Sequence, residues 1–361
     1  MIPKHHYYDP AIFDLEMEKI FFKSWIFACM TDDVANPNDF ITFEIGGRPI
    51  VIQNFNGQLS AFDNICSHRF SKIQIEEKGN RSFFCPYHGW AYNKEGSLAG
   101  IPKKKTFDFP EDTTCFHLKK HKLEVCGRFV FINMNNEDNN GLADFLGVFY
   151  SYILNISEHL GSIRYSNNIP HKANWKLLIE NVLEGYHCLL VHPETLYKSG
   201  FCNTPSENLV FDNGHSKWDS PKKNSEFVQK KQTKLSFLDN RTLIHDSFHH
   251  IFTQPNLFFS STEGQTFYIG QNIPISATQS LLRIWFFNPL FITPIADAKT
   301  SFFEAFMSLG VESGIKVIKE DKHILENIQN SIPYANSSGI LSKEELRITD
   351  FFTHYNKIIN Q

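Results

Sequence analysis

The chain has 361 residues, 42% hydrophobic and 20% charged, with a formal net charge of −4. Such a composition suits a globular protein of one large or two ordinary domains, and its slight acidity removes the electrostatic case for nucleic acid or an anionic membrane surface as partner. No run approaches the ~18 apolar residues of a membrane span, and the opening MIPKHHYYDP lacks the cationic and apolar pattern of a signal peptide. Seven scattered cysteines form no disulfide framework and point to a reducing compartment, so a cytoplasmic protein is expected.

The first predicted element is an amphipathic helix in DPAIFDLEMEKIFFKSWIFACM, with Ile12, Phe13, Ile20, Phe21 and Phe22 set among acids and lysines. Residues 1–36 are read as a helical segment that packs with the domain furthest downstream. From 37 to 140 the texture is that of short antiparallel strands, with hairpin turns at Gly46-Gly47 and Asn56-Gly57, and a small β-sandwich or barrel is predicted. The polar stretch NMNNEDNNG then acts as a linker. Across 141–361, NWKLLIENVLEGYHCLL reads as helix and NLFFSSTEGQTFYIGQNIPISATQSLLRIWFF as strands. SGIKVIKEDKHILENIQNSI and SKEELRITDFFTHYNKII read as further helices, the last opening on a capping box at Ser342. The fold class is therefore α+β: a small all-β domain, then a larger one with an antiparallel sheet flanked by helices.

Two short motifs carry chemistry in the β region. Cys66-Ser67-His68 and Cys85-Pro86-Tyr87-His88 each offer one thiolate and one imidazole on a loop. Zinc fingers tend instead to pair cysteine with cysteine in one spacing unit and histidine with histidine in another. One sulfur and one ring nitrogen per loop suit a [2Fe–2S] cluster of the Rieske type, in which two cysteines hold one iron and two histidines the other. A structural zinc site is the alternative.

The second motif is ENVLEGYHCLLVHP, residues 180–193. His187 and His192 are five positions apart, which on a continuous helix separates them by about 140°. Pro193 disfavours helical geometry at His192, so the helix is expected to end there and let His192 turn back towards His187. Glu184, three residues before His187, would share its helix face. Two histidines and one carboxylate make the facial triad of non-haem Fe(II) oxygenases. KVIKEDKHILENIQ offers Glu320, Asp321 and Glu326 as the acid.

These motifs, with FFKSWIFACM before them and GILSKEELRITDFF after, resemble the Rieske non-haem iron oxygenases over nearly the whole chain, specifically the α subunits of aromatic-ring-hydroxylating dioxygenases. The E-G-Y-H form is similar to the choline, carnitine and betaine monooxygenase branch. The resemblance implies a [2Fe–2S] cluster on Cys66, His68, Cys85 and His88, and a mononuclear iron on His187, His192 and Asp321, with Glu320 as the alternative acid. It implies O2 as co-substrate and electrons from a flavin and iron–sulfur reductase, with or without a ferredoxin, that uses NAD(P)H. It further implies a head-to-tail trimer in which Glu184 links His187 to His88 of a neighbouring subunit. Asn181 is a candidate for a place beside the iron ligands. The implied reaction is hydroxylation, or N-dealkylation, of a small amine or quaternary ammonium compound. Ring cis-dihydroxylation is one alternative, and a Rieske electron carrier without oxygenase activity is another. A substrate pocket is expected around Phe258–Phe267 and Phe248–Phe252, while Cys29, Cys115, Cys126, Cys188 and Cys202 receive no role.

Overall fold

The computed structural model describes residues 2–198, 207–220, 238, 240–245, 247–295, 297–337 and 339–360; Cys202 lies outside them. The chain divides into two compact units, Met17–Phe145 and Met1–Glu16 with Leu146–Gln361. The N-terminal segment is thus divided, and the smaller unit is wider than 37–140. The reason is local. The helix starting at Pro10 passes into a π turn at Met17–Phe21, and Ile26–Met30 becomes a strand (β1) in which all five residues are buried. A fully buried five-residue run is served by ladder hydrogen bonds on a sheet, whereas an amphipathic helix needs a polar face.

The smaller unit is built on an antiparallel seven-stranded sheet. Its strands are β1, β2 (Asp39–Ile45), β3 (Arg48–Phe55), β4 (Gln58–Asp63), β5 (Lys78–Asn80), β8 (Lys120–Cys126) and β9 (Phe129–Asn133), in the spatial order β1-β9-β8-β4-β3-β2-β5. A separate two-stranded ribbon pairs β6 (Ala91–Tyr92) with β7 (Leu98–Gly100). Gly46-Gly47 and Asn56-Gly57 connect β2 to β3 and β3 to β4, and Asn54 accepts the Gly57 N–H at 2.6 Å. Cys66 and Cys85 sit in loops on either side of β5, over a core of Phe40, Val51, Phe62, Phe83, Trp90 and Tyr92.

In the larger unit the strands are β10 (Leu160–His171), β11 (Glu207–Asp212), β12 (His215–Ser220), β13 (Phe248–Thr253), β14 (Leu257–Thr262), β15 (Thr266–Ser276) and β16 (Gln279–Pro289). They form a second antiparallel sheet, ordered β10-β16-β15-β14-β13-β12-β11. Three helices meet one face of it. Phe351 of the C-terminal helix Leu346–Ile359 packs edge-on against Phe252, with ring centroids 6.0 Å apart. The helix Trp175–Val182 is tied down through its Trp175 carbonyl, which accepts from Asn272 Nδ2 at 2.6 Å. The 35-residue helix Asp297–Ser331 comes so close at Gly314 that a Cβ there would stand 2.6 Å from Phe286 Cζ. At the last helix the expected capping box is only half formed: Glu345 accepts from the Ser342 N–H, but Ser342 Oγ accepts from the Glu344 N–H, and these residues make a turn. The helix itself begins at Leu346, with Glu345 as N-cap.

A buried ionic cluster fastens the first sixteen residues to this unit. Glu16 accepts from Lys176 Nζ (2.5 Å), Trp175 Nε1 (2.8 Å) and Tyr355 Oη (2.7 Å), and both charged groups have 0% exposure. The Lys176 ammonium also lies 5.2–5.7 Å from the ring centroids of Tyr7, Trp175 and Tyr355. Replacing Glu16 by Ala strands that ammonium in the core, where removal of one partner of a buried pair costs about 3–5 kcal/mol. Equilibrium denaturation of Glu16→Ala should show that loss; a change below ~1 kcal/mol would mean that the lysine is neutral or solvated.

Candidate metal centre

The two cysteine loops share a construction. Four residues after each cysteine the backbone takes positive φ, +63° at Phe70 and +72° at Gly89, and the N–H there returns to the cysteine carbonyl at 2.9 Å. Each loop is thereby curled so that its cysteine points inward. Cys66 and Cys85 are both buried and unbridged, and their side chains are close enough to share a hydrogen bond. His68 and His88 approach with ring centroids 4.6 Å apart, and His68 stacks on Trp90 at 4.7 Å and 8°. Tyr92 Oη lies 3.1 Å from Cys66 Sγ, supplying a hydroxyl to the sulfur. Burial raises the Cys66 thiol pKa, while the Tyr92 contact opposes this. Two thiols and two imidazoles at one end of a β unit fit a cluster of two irons. The His68 Nδ1 is buried without a hydrogen-bond partner, as a nitrogen reserved for a metal would be.

The helix bearing the second motif ends earlier than its sequence suggests. It runs Trp175–Val182, started by the Asn174 side chain, which accepts from Lys176 N at 3.0 Å. It stops because the Glu184 carboxylate takes the backbone N–H groups of Tyr186 and His187, a local side-chain alternative to helix continuation. Glu184 therefore meets His187 through a turn and not along a helix face. His187 N-caps a single further turn, Cys188–Val191, and His192 closes it at φ −117°, ψ 47°, immediately before Pro193. This short turn brings the two rings to 5.2 Å between centroids.

Asp321, on the long helix, completes the group. Its Oδ1 is 3.0 Å from His192 Nε2 and 3.5 Å from His187 Nε2, and the three ligand atoms lie within 4.8 Å of one another. Ligands at ~2.1 Å from one octahedral ion stand about 3.0 Å apart when adjacent, so the spacing suits a single metal. The donors fit as well. His192 Nε2 is buried and makes no hydrogen bond despite its nearness to Asp321, leaving its lone pair for an ion. Burial would lower the His187 pKa, but Asp321 and Glu184 outweigh it and push it up to about 9; Asp321 itself, raised by burial, is held below its usual value by the two histidines. The cluster thus has excess negative charge for a cation to replace protons.

Glu320 does a different job from Asp321. Adjacent helix residues point ~100° apart, and Glu320 Oε2 reaches the far nitrogen of the same ring, His192 Nδ1, at 2.8 Å, while accepting from Thr195 Oγ1 at 2.7 Å. Glu184 Oε1 does the same at His187 Nδ1. Each histidine therefore directs Nε2 to the shared point and gives Nδ1 to a carboxylate, the arrangement that fixes tautomer and orientation in metal sites. Asn181 Nδ2 stands 3.2 Å from Asp321 Oδ1 and 3.3 Å from His187 Nε2, against the ligand group. The roles of Glu320 and Thr195 were not read from the sequence; two consecutive acids on one helix were the available signal.

A cavity of about 420 Å³ adjoins this group and is lined by Glu180, Asn181, Glu184 and His187 with apolar side chains that include Ile324 and Ile328. Burial pushes Glu180 up to about 8, against a 2.7 Å hydrogen bond from Tyr7 Oη. The phenylalanines expected to form a substrate pocket are mostly core: Phe252, Phe258, Phe259 and Phe267 are each 1% exposed. Strand alternation sends Phe259 and Phe267 to the face away from the helices, and Tyr268, one residue beyond, faces them half-buried. Cys29, Cys126 and Cys188 are buried and Cys115 is exposed, all unbridged.

Fold and donors together offer two separate groups of metal-binding side chains, one made of paired Cys/His loops and one of two histidines and a carboxylate. Residues 24–122 match the Rieske [2Fe–2S] domain family, and residues 159–361 match the ring hydroxylating alpha subunit (catalytic domain) family. The chain belongs to the ring-hydroxylating oxygenase alpha subunits, whose cofactors are a Rieske cluster and a mononuclear iron. It is 36% identical to the glycine betaine monooxygenase oxygenase subunit of Pseudomonas aeruginosa over 199 residues, which are 54% of this chain and 45% of that protein. The match thus spans less than half of that relative's length. The carnitine monooxygenase oxygenase subunit of Acinetobacter pittii is 30% identical over 289 residues, covering 77% of this chain and 73% of the relative. The crystal structure of the quaternary ammonium Rieske monooxygenase CntA in complex with L-carnitine has the same fold, with a TM-score of 0.75, 22% identity and coverage of 99% and 95% of the two chains. No helix among the described residues is long and apolar enough to cross a membrane.

Proposed function

We propose that the chain is the terminal oxygenase component of a Rieske-type system, inserting oxygen from O2 into a small amine or quaternary ammonium compound. Insertion next to nitrogen would end in N-dealkylation. The observation that carries this reading is the pairing of His187, His192 and Asp321 around one point, each histidine held from behind by its own carboxylate, in a chain that also has the four cluster donors. A pure electron carrier has no use for the second group of donors. The relatives that act on betaine and carnitine favour the ammonium substrate.

Bound iron would supply O2 activation and the cluster one-electron delivery. The chain's own part is positional. Cys66, Cys85, His68 and His88 would hold the cluster, and His187, His192 and Asp321 the mononuclear iron. Glu320 and Glu184 keep both imidazoles in the tautomer with Nε2 unprotonated. Glu184, with one oxygen on His187 and the carboxylate lining an apolar cavity, is the group through which a neighbouring subunit's His88 would be joined to the iron in a head-to-tail trimer. Reducing power would come from a partner reductase fed by NAD(P)H, in the cytoplasm. The test is turnover of the iron-loaded chain with a surrogate reductase on a panel of ammonium compounds and arenes, scored by oxygen-18 in the product. Labelled product from an ammonium compound supports the proposal; cis-diol formation from arenes alone would replace it with a ring dioxygenase, a reading that the 34% identity to the anthranilate 1,2-dioxygenase large subunit of Acinetobacter baylyi keeps in view.

A further inference from the structure

The two cluster cysteines have unequal surroundings. Cys66 Sγ has the Tyr92 hydroxyl at 3.1 Å and also receives the backbone N–H of His68. Among the described residues no hydroxyl stands against Cys85 Sγ. One sulfur of the pair is therefore singled out by a side-chain donor.

That donor is placed by the core. Tyr92 ends the short strand β6, where its backbone N–H donates to Phe83 O at 3.1 Å. Its side chain packs beside the Phe83 ring, with centroids 6.2 Å apart, and the residue is 4% exposed. A buried phenol needs a partner for its O–H, and here the hydroxyl reaches the turn at Cys66 and Ser67.

Counting protons decides which way the bonds run. A serine hydroxyl has one proton, and Ser67 Oγ donates its own to Phe116 O at 2.8 Å. The Ser67 backbone N–H donates to Tyr92 Oη at 3.1 Å. The Tyr92 proton then has two acceptors within reach, Cys66 Sγ and, at 3.0 Å, Ser67 Oγ. A phenol keeps its proton at neutral pH, and a cysteine that ligates iron does so as the thiolate. A charged acceptor wins over a neutral one, so the proton belongs on the sulfur. The Ser67 N–H polarises the hydroxyl in the same sense. The middle residue of Cys66-Ser67-His68, which ligation itself does not use, thus aims the tyrosine.

We propose that Tyr92, aimed by Ser67, sets the reduction potential of the cluster by donating a hydrogen bond to Cys66 Sγ. Gain of an electron makes the ligating sulfurs more negative, so a donor there stabilises the reduced form more than the oxidised one and raises the potential. Electron traffic feels this on both sides. Uptake from the partner reductase becomes more favourable, and release towards the mononuclear iron less so. Tyr92 acts through Cys66 and is a positioning residue. The inference rests on the cluster alone; neither the substrate nor the oxygenase reaction enters it.

Anaerobic redox titration of the purified, cluster-loaded protein, followed in the visible spectrum, tests it. Tyr92→Phe keeps the ring and removes the hydroxyl. Its reduction equilibrium should shift about 10-fold towards the oxidised form, ~59 mV to lower potential for a one-electron couple, with the cluster spectrum retained. Ser67→Ala removes the competing acceptor and leaves the backbone N–H in place, so its potential should stay or rise. If Tyr92→Phe assembles no cluster, 3-fluorotyrosine at position 92 takes its place. This more acidic phenol of nearly the same shape should donate more strongly and raise the potential. A shift of less than about twofold in Tyr92→Phe overturns the proposal, and so does an unmoved potential with fluorotyrosine. An equal fall in Ser67→Ala would assign the effect to packing of the loop and overturn it as well. Because the readout is a potential and not turnover, failure of the oxygenase reading would leave this result untouched.

Discussion

Replacing His187 by Ala should give a protein that keeps the visible spectrum of its cluster and retains no mononuclear iron, so that iron falls from three to two per chain and turnover is lost. The two donor groups are built from different segments: the cluster loops lie within Met17–Phe145 and the His187 group within the larger unit. Loss of one imidazole from three protein ligands removes a third of the donor set, whereas the cysteine loops are untouched. Asp321→Ala should behave alike, since its Oδ1 approaches both Nε2 atoms. Glu320→Gln should be milder, lowering iron affinity by about 10- to 100-fold, as loss of a carboxylate behind a ligating histidine does. Iron titration of the anaerobic variants checks all three. Equal loss in Glu320→Gln and Asp321→Ala would reverse their proposed roles, and a spectrum that collapses in His187→Ala would refute two independent sites.

Glu184→Gln should lower iron affinity as Glu320→Gln does, and with iron supplied in excess it should retain both metals and lose turnover by about 10- to 100-fold. The substitution keeps the volume and one carbonyl oxygen, so the turn that accepts from Tyr186 and His187 can persist. It removes the charge that faces His187 Nδ1 and that would face a neighbour's cluster histidine. Rapid mixing of the reduced protein with O2 and substrate is the appropriate measurement: oxidation of the cluster should slow, while substrate binding at equilibrium is unchanged. Unaltered cluster oxidation would remove Glu184 from the electron path, and loss of iron would make it a structural support for His187 alone.

Much of this organisation was legible in the residues. The Cys66/His68 and Cys85/His88 spacings named the cluster, because few metal groups want one thiolate and one imidazole from each of two loops. Alternation and turn residues located the strands, and the family resemblance named Asp321. Other features escaped for physical reasons. Ile26–Met30 looked like the end of a helix since its apolar run carries no period, and only pairing with β9 made it a strand. The helix before His187 was carried too far because Pro193 was the obvious stop. The effective one, Glu184 capturing two backbone N–H groups, depends on a side-chain conformation that no spacing reveals.

Local chemistry in the chain, then, specified the two units, the donor types and the sharp turn at His192, all of which depend on neighbours a few residues apart. Distances between remote segments were decided by packing. The long helix had to settle on the sheet at Gly314 before Asp321 faced His187 and Glu320 stood behind His192. Arg347 and His250, 97 residues apart, meet only because the C-terminal helix lies across β13. Those contacts follow from the fit of whole elements, and that is why only the tertiary structure shows Asp321 beside both Nε2 atoms and Glu320 behind His192.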